Sequence, residues 1–205
     1  MNLLKNIILI FISLLASQFL MYYIIDEIIV TFVNSPVPYL VGRILLAFII
    51  FVSIKFLLKE FKVDSVYVDL AMILYFILLA SITLFKGNET SRDFNFIPFN
   101  FISYAAEVNL SIFIPAILVN LLLLVPLAVY LRLKKIRFTF ACKMILSASL
   151  LIDVLQFLTA RGTFDVDDLL LNTIGACLGY FAANALHNQI TKTNLTNSTR
   201  LPSEM

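Results

Sequence analysis

The chain has 205 residues, 61% of them hydrophobic and only 14% charged, with a mean hydropathy of +0.97. Soluble domains are about half apolar and roughly a quarter charged, so these charges are too few to cover a water-soluble globule of 23.2 kDa. Nineteen Phe and eight Tyr exclude a disordered chain, and two Cys in apolar runs (Cys142, Cys177) with a lone His187 exclude a disulfide scaffold, a zinc module and a multi-histidine centre. What remains is a polytopic membrane protein.

A helix crossing about 30 Å of hydrocarbon needs roughly 20 mostly apolar residues. In chain order six stretches qualify: 4–25, 37–58, 66–85, 112–131, 138–158 and 169–187. The expected fold is all-α, a bundle of about six transmembrane helices. Within the first stretch Lys5 precedes an apolar run, as in a signal peptide. The run reaches Ile25 without a small-residue cleavage site, so it is expected to remain as a helix. Continuous rather than alternating apolar character disfavours membrane strands. Residues 1–65 are expected to form two N-terminal helices, 66–187 a four-helix membrane domain, and 188–205 a disordered polar tail.

Positive charge sets the orientation. With the N-terminus inside, eleven Lys and Arg face the cytoplasm against four acids, and the loop Arg132–Arg137 (RLKKIR) holds four of them. The opposite side has four cations against nine acids. Lys and Arg concentrate on the cytoplasmic side of membrane proteins. Both termini are therefore expected in the cytoplasm, with the protein in the plasma membrane.

Under that orientation the unusual polar residues gather at the outer end. The longest loop, 86–111, has the centre Arg92-Asp93-Phe94-Asn95-Phe96-Ile97-Pro98-Phe99. Its aromatics suit a segment lying on the membrane interface or between helix ends; Arg92 and Asn95 are not explained by an aromatic belt. In the fifth stretch Asp153 and Gln156 are three residues apart and share a helix face. A carboxylate facing lipid there costs roughly 2.5–3.5 kcal/mol, so Asp153 is expected to face protein. Arg161 and Arg43 are its candidate partners. A buried ion pair fixing helix register and a proton-accepting or ligand-gripping carboxylate both fit.

Asp165, Asp167 and Asp168 precede the sixth stretch, where one would cap the helix N-terminus. Three are more than a cap needs, and oxygen-rich clusters suit calcium or magnesium, although the spacing matches no specific metal loop. Asn172 follows within two turns, and Gly175-Ala176-Cys177-Leu178-Gly179 is a GxxxG pattern that allows close helix approach. Asn120 lies about 12 Å below the outer boundary by helical rise and needs an interhelical partner.

Through these residues the chain resembles the VanZ-like family of bacterial membrane proteins, over about residues 70–186. The matching segments are RDFNFIPF at 92–99, NLLLLVPLAVYL at 120–131 and DVLQFLTARGTFDVDDLLLNTIGACLGY at 153–180. In the last block Gln156, Arg161, Asp165, Asp168, Asn172, Gly175 and Gly179 stand at the family's positions. Asp153 replaces a Glu and Ala128 a Gly. The resemblance implies a Gram-positive plasma-membrane protein related to one that confers low-level teicoplanin resistance.

The candidate site is thus Arg92, Asn95, Asp153, Gln156, Arg161, Asp165, Asp168 and Asn172, with Asp165, Asp167 and Asp168 as metal candidates. No cofactor and no nucleic acid is expected. The expected partners are the lipid bilayer and a lipid-linked peptidoglycan precursor or lipoglycopeptide. Three functions compete: a non-enzymatic envelope protein that limits antibiotic access, an enzyme acting on a lipid-linked or phosphate-bearing headgroup, and a small proton-coupled transporter using Asp153. The enzyme reading lacks a recognisable nucleophile motif, and the transporter reading lacks an inverted repeat.

The orientation is testable by single-cysteine labelling at Thr90 and Thr163 in a Cys-free background. An impermeant maleimide added outside intact cells is expected to label both. Protection of both would reverse the topology.

Overall fold

A computed structural model describes the backbone of residues 2–26, 30, 33, 35–58, 65–85, 94–107, 109–162 and 164–198, with side chains for all except 2, 104–107, 111–112 and 187–198. Among these residues six helical segments are long and apolar enough to cross a membrane: Leu3–Ile25, Pro36–Leu57, Ser65–Phe85, Phe113–Leu133, Phe138–Leu158 and Val166–Leu186. They coincide with the stretches expected from hydropathy. Large apolar side chains around them, such as Leu3, Phe11, Leu40, Leu57, Leu122 and Leu178, are exposed. In water such a surface would aggregate; against lipid it carries no penalty. Two compact units make up the chain, Met1–Ile97 with Leu151–Val166, and Pro98–Leu150 with Asp167–Met205.

The first unit is built on three long helices. α1 (Asn2–Leu20) runs into a π-helical turn at Met21–Ile25, and α2 (Pro36–Leu57) packs between α1 and α3 (Ser65–Phe85). Ser35 starts α2 by accepting the Val37 N–H at 3.4 Å, with Pro36 at the first helical position, where its missing N–H costs nothing. Small residues let α1 and α2 close together. Ser17 donates its hydroxyl to the Arg43 carbonyl at 2.7 Å, and a Cβ on Gly42 would lie 3.2 Å from Met21 Cε. At the end of the π-helical turn Asp26 accepts Arg43 Nη2 at 2.6 Å. Nearer the other end of the helices Lys55 Nζ donates to Asn6 at 2.8 Å.

This unit also contains two features absent from an all-helical reading. Phe94–Asn95 (β1) and Phe164–Asp165 (β2) form a two-rung parallel pair, Phe94 opposite Phe164 and Asn95 opposite Asp165. Phe94, Phe96, Phe157 and Phe164 cluster over it, with ring centroids 4.3–6.1 Å apart.

In the second unit the expected loop 86–111 contains a helix, α4 (Asn100–Glu107). The fourth span is two helices, α5 (Leu110–Leu123) and α6 (Val125–Leu133), broken at Leu124. Pro126 is the cause: it has no N–H for the carbonyl four residues back, and its ring crowds that turn. Leu124 is fully buried at the break. α6 ends in a Schellman motif, in which Lys135 N–H bonds Arg132 O at 2.9 Å and Ile136 N–H bonds Leu131 O at 3.0 Å. α7 (Phe138–Leu158) follows, and α8 (Val166–Ser198) is the last described helix. The tail expected to be disordered is helical as far as Ser198, since no Pro or Gly interrupts it. Cys142 and Cys177 approach to 4.0 Å between sulfurs without a disulfide.

The GxxxG pattern does what its spacing suggests. A Cβ on Gly175 would lie 1.8 Å from the Leu121 carbonyl oxygen, and one on Gly179 would lie 2.9 Å from Val125 Cγ1. At Gly175 α8 therefore rests on the backbone of the broken span, against the Leu121 carbonyl. Gly175→Ala collides with backbone at closer range, and Gly179→Ala with the Val125 side chain, which as a β-branched residue can give only a little. Gly175→Ala is expected to cost at least the upper end of the roughly 1–3 kcal/mol of ordinary overpacking, and Gly179→Ala less. Thermal unfolding in detergent measures both; equal losses would mean that the Leu121 backbone yields.

Candidate functional site

On α7 the residues Ile145, Ser149, Ile152, Asp153 and Gln156 are buried. They recur at three- and four-residue steps, as one face of a helix requires. Asp153 is 1% exposed, so the carboxylate faces protein, as its cost in lipid demands. Arg43 does not serve it: that guanidinium is engaged with Asp26 inside the first unit.

α7 ends where the signature polar residues begin. Ala160 adopts φ 54°, its N–H bonds Phe157 O at 3.1 Å, and the Arg161 N–H bonds Gln156 O at 2.9 Å. This is a second Schellman motif, with Ala where glycine is usual. The reversal lays Gly162 on Gln156, so that a Cβ would lie 3.1 Å from Oε1. Arg161 places its guanidinium 5.9 Å from the Phe85 ring centroid, on α3. A cation over a ring face keeps its charge while covering apolar surface. Next along the chain Asp165 receives Asn95 Nδ2, 3.2 Å from both carboxylate oxygens, and Asn95 Oδ1 accepts the Ile97 N–H at 3.2 Å. Asn95 thus ties β1 to β2 by side chain as well as backbone.

In the second unit Asp167 is buried and serves a helix other than its own. Its two carboxylate oxygens accept the Phe99 N–H at 2.6 Å and the Phe101 N–H at 2.9 Å. Phe99, at φ 64°, precedes α4 and has no side-chain oxygen to satisfy the first turn. Asp167 supplies the N-cap from a distant part of the sequence, and its charge suits the positive end of the α4 dipole.

Asp168 takes the Asn120 amide from α5. Helical rise alone puts Asn120 about 12 Å below the outer boundary, whereas Asp168 precedes the sixth apolar stretch. The hydrogen bond corrects that separation, because the first turn of α8 meets the third turn of α5. Asn172, 1% exposed, donates Nδ2 to Ser149 Oγ at 2.9 Å, joining α8 to α7. Its Oδ1 and the neighbouring Thr173 hydroxyl have no hydrogen-bond partner among the described residues.

Within the first unit, then, Asn95 meets Asp165 and Gln156 meets Gly162; within the second, Asp168 meets Asn120 and Asn172 meets Ser149. Arg92 and Asp93 lie outside the described residues. Each of the three adjacent acids has its own donor. Among the described residues no group of three or more His, Cys, Asp or Glu side chains could hold a metal ion. Sequence reasoning did not single out Ser149, although its place four residues before Asp153 on an otherwise apolar face was a usable signal. It also gave Asp167 no partner; the hint was the lack of a local cap before Asn100.

The profile of the VanZ/LLP1 family matches residues 72–187, more than half of the chain. The chain belongs to the VanZ/LLP1 family. No curated protein and no solved structure matches it. The VanZ/LLP1 region takes in α4–α6, all of α7, most of α3 and α8 as far as His187, and so contains every candidate site residue. α1, α2 and the Asp26–Arg43 pair precede it.

Asp167 offers a clean test of this arrangement. Asp167→Ala strands two N–H groups and is expected to cost about 1.5–3 kcal/mol for each charge-assisted bond lost. Asp167→Asn keeps one acceptor and is expected to cost about half as much. Denaturant titration in detergent compares them; a silent Asp167→Ala would mean that α4 does not depend on the cap.

Proposed function

We propose that this VanZ/LLP1 membrane protein acts at the bacterial cell envelope and lowers susceptibility to acylated glycopeptides of the teicoplanin type without catalysing a reaction. The observation that carries the proposal is the burial of two polar side chains of the family region, Asp153 and Gln156, on the mainly apolar α7. Asn172 is engaged in holding α8 to α7 through Ser149; a carboxylate on such a helix is costly to bury, so the polarity of Asp153 and Gln156 supports recognition. The charge distribution supports an orientation with both termini cytoplasmic and the start of α8 outside, in the plasma membrane. There a lipoglycopeptide and lipid-linked peptidoglycan precursors would meet it.

The enzymatic reading has less support. Of the two carboxylates that could act as general base, Asp168 is bonded to the Asn120 amide that holds α5, which leaves Asp153. A general base needs its lone pairs available to the substrate. The transporter reading rests on Asp153 alone.

Expression in a sensitive Gram-positive host is expected to raise tolerance to teicoplanin more than to vancomycin, since only the former carries an acyl chain that partitions into lipid. Asp153→Asn and Arg161→Ala are expected to abolish the effect at near-normal membrane levels. Equal effects on both antibiotics, or none at verified expression, would refute the proposal.

A further inference from the structure

The densest positive charge in the described chain lies elsewhere in the sequence, at the end of α6 and in the four-residue connection to α7, Arg132-Leu133-Lys134-Lys135-Ile136-Arg137. Cations beside a span need only their charge to orient the chain during insertion. That requirement is met by an unstructured segment and places no demand on its final geometry.

This connection is built to one shape. Its Schellman motif holds Lys135 at φ 58°, a left-handed conformation that favours glycine, and ties Ile136 N–H to the Leu131 carbonyl. From α8 the Tyr180 hydroxyl donates to the Ile136 carbonyl at 2.7 Å, and Asn184 accepts Arg132 Nε at 2.8 Å. Phe138 packs on Tyr180 and Phe181 with centroids 5.3 and 4.7 Å apart, fixing the exit into α7. Lys134 Nζ stands 5.5 Å from the centroid of the Tyr130 ring. Lys134, Lys135 and Arg137 are nevertheless exposed. Next to them in the chain Leu133, Phe140 and Met144 are exposed as well. Fixed cations bordered by open apolar surface fit a ligand with an anionic head and hydrocarbon tails, whereas a soluble anion would use only the former.

We propose that the α6–α7 turn binds the phosphate headgroup of an anionic phospholipid, whose acyl chains lie along the exposed apolar side chains of the two helices. Pre-setting the turn lowers the ordering cost of binding. This is the use the structure assigns to the ties from α8.

The test is lipid binding to the purified full chain in detergent, read by native mass spectrometry and thermal shift. Phosphatidylglycerol is titrated against phosphatidylcholine, with inorganic phosphate as competitor. Phosphatidylglycerol is expected to bind at least about tenfold more tightly, and Lys134→Gln and Arg137→Gln are each expected to weaken it by about fivefold. Tyr180→Phe keeps every charge and removes only the bond to Ile136, so it is expected to reduce the preference for phosphatidylglycerol while leaving phosphatidylcholine binding unchanged. Equal binding of the two lipids would overturn the proposal, and so would displacement of phosphatidylglycerol by millimolar phosphate. A full preference in Tyr180→Phe would reduce the turn to an orientation signal and overturn it equally.

Discussion

Gly175 lets α8 touch the backbone of α5, and the second unit is organised around that contact. With the Leu121 carbonyl where a side chain would otherwise be, no larger residue allows the same separation. Asp168, Asn172, Gly175 and Gly179 follow one another at three- and four-residue steps along one face of α8. Because Gly175 brings this face close, short polar side chains can span the remaining gaps. Asp168 reaches Asn120 on α5, and Asn172 reaches Ser149 on α7. The polar half of the stripe depends on its small half.

Membrane helices gain little from hydrophobic association, since lipid tails are as apolar as their own side chains. Close backbone packing and interhelical hydrogen bonds carry more of the work, and both lie on this one face of α8. The acids around its first turn extend the same logic. Three carboxylates within four residues repel one another unless each finds a donor; here the donors come from Asn95, from the start of α4 and from Asn120. Repulsion is thereby turned into attachment of three separate segments. Arg161, lying over Phe85, is held by a ring rather than by a carboxylate in that contact.

What could be read in the sequence was what depends on run length and periodicity. The six spans follow from apolar stretches of sufficient length, and the GxxxG contact from two glycines four residues apart. What escaped depends on partners far along the chain. Arg43 had several conceivable carboxylates, and only folding selects Asp26 over Asp153. The cap of α4 comes from Asp167, 68 residues later, so no local pattern announced that helix. The break at Leu124 had a visible cause in Pro126, but averaged hydropathy does not register a missing N–H. Residues 188–198 looked disordered by composition, yet they continue a helix already nucleated, and propagation is far easier than initiation.

The two-rung pairing of Phe94–Asn95 with Phe164–Asp165 joins residues 70 positions apart. The entropy of closing a loop grows only logarithmically, by about 0.6 kcal/mol for each doubling of its length. Whether this loop closes is therefore set by its tie, the Asn95–Asp165 bond and the Phe rings over it, and hardly by how many residues lie between. Related chains can lengthen or shorten the flexible connections between the intervening helices at little thermodynamic cost, though not the helices themselves, whose length the bilayer sets, provided that the two rungs and their ring cluster are kept.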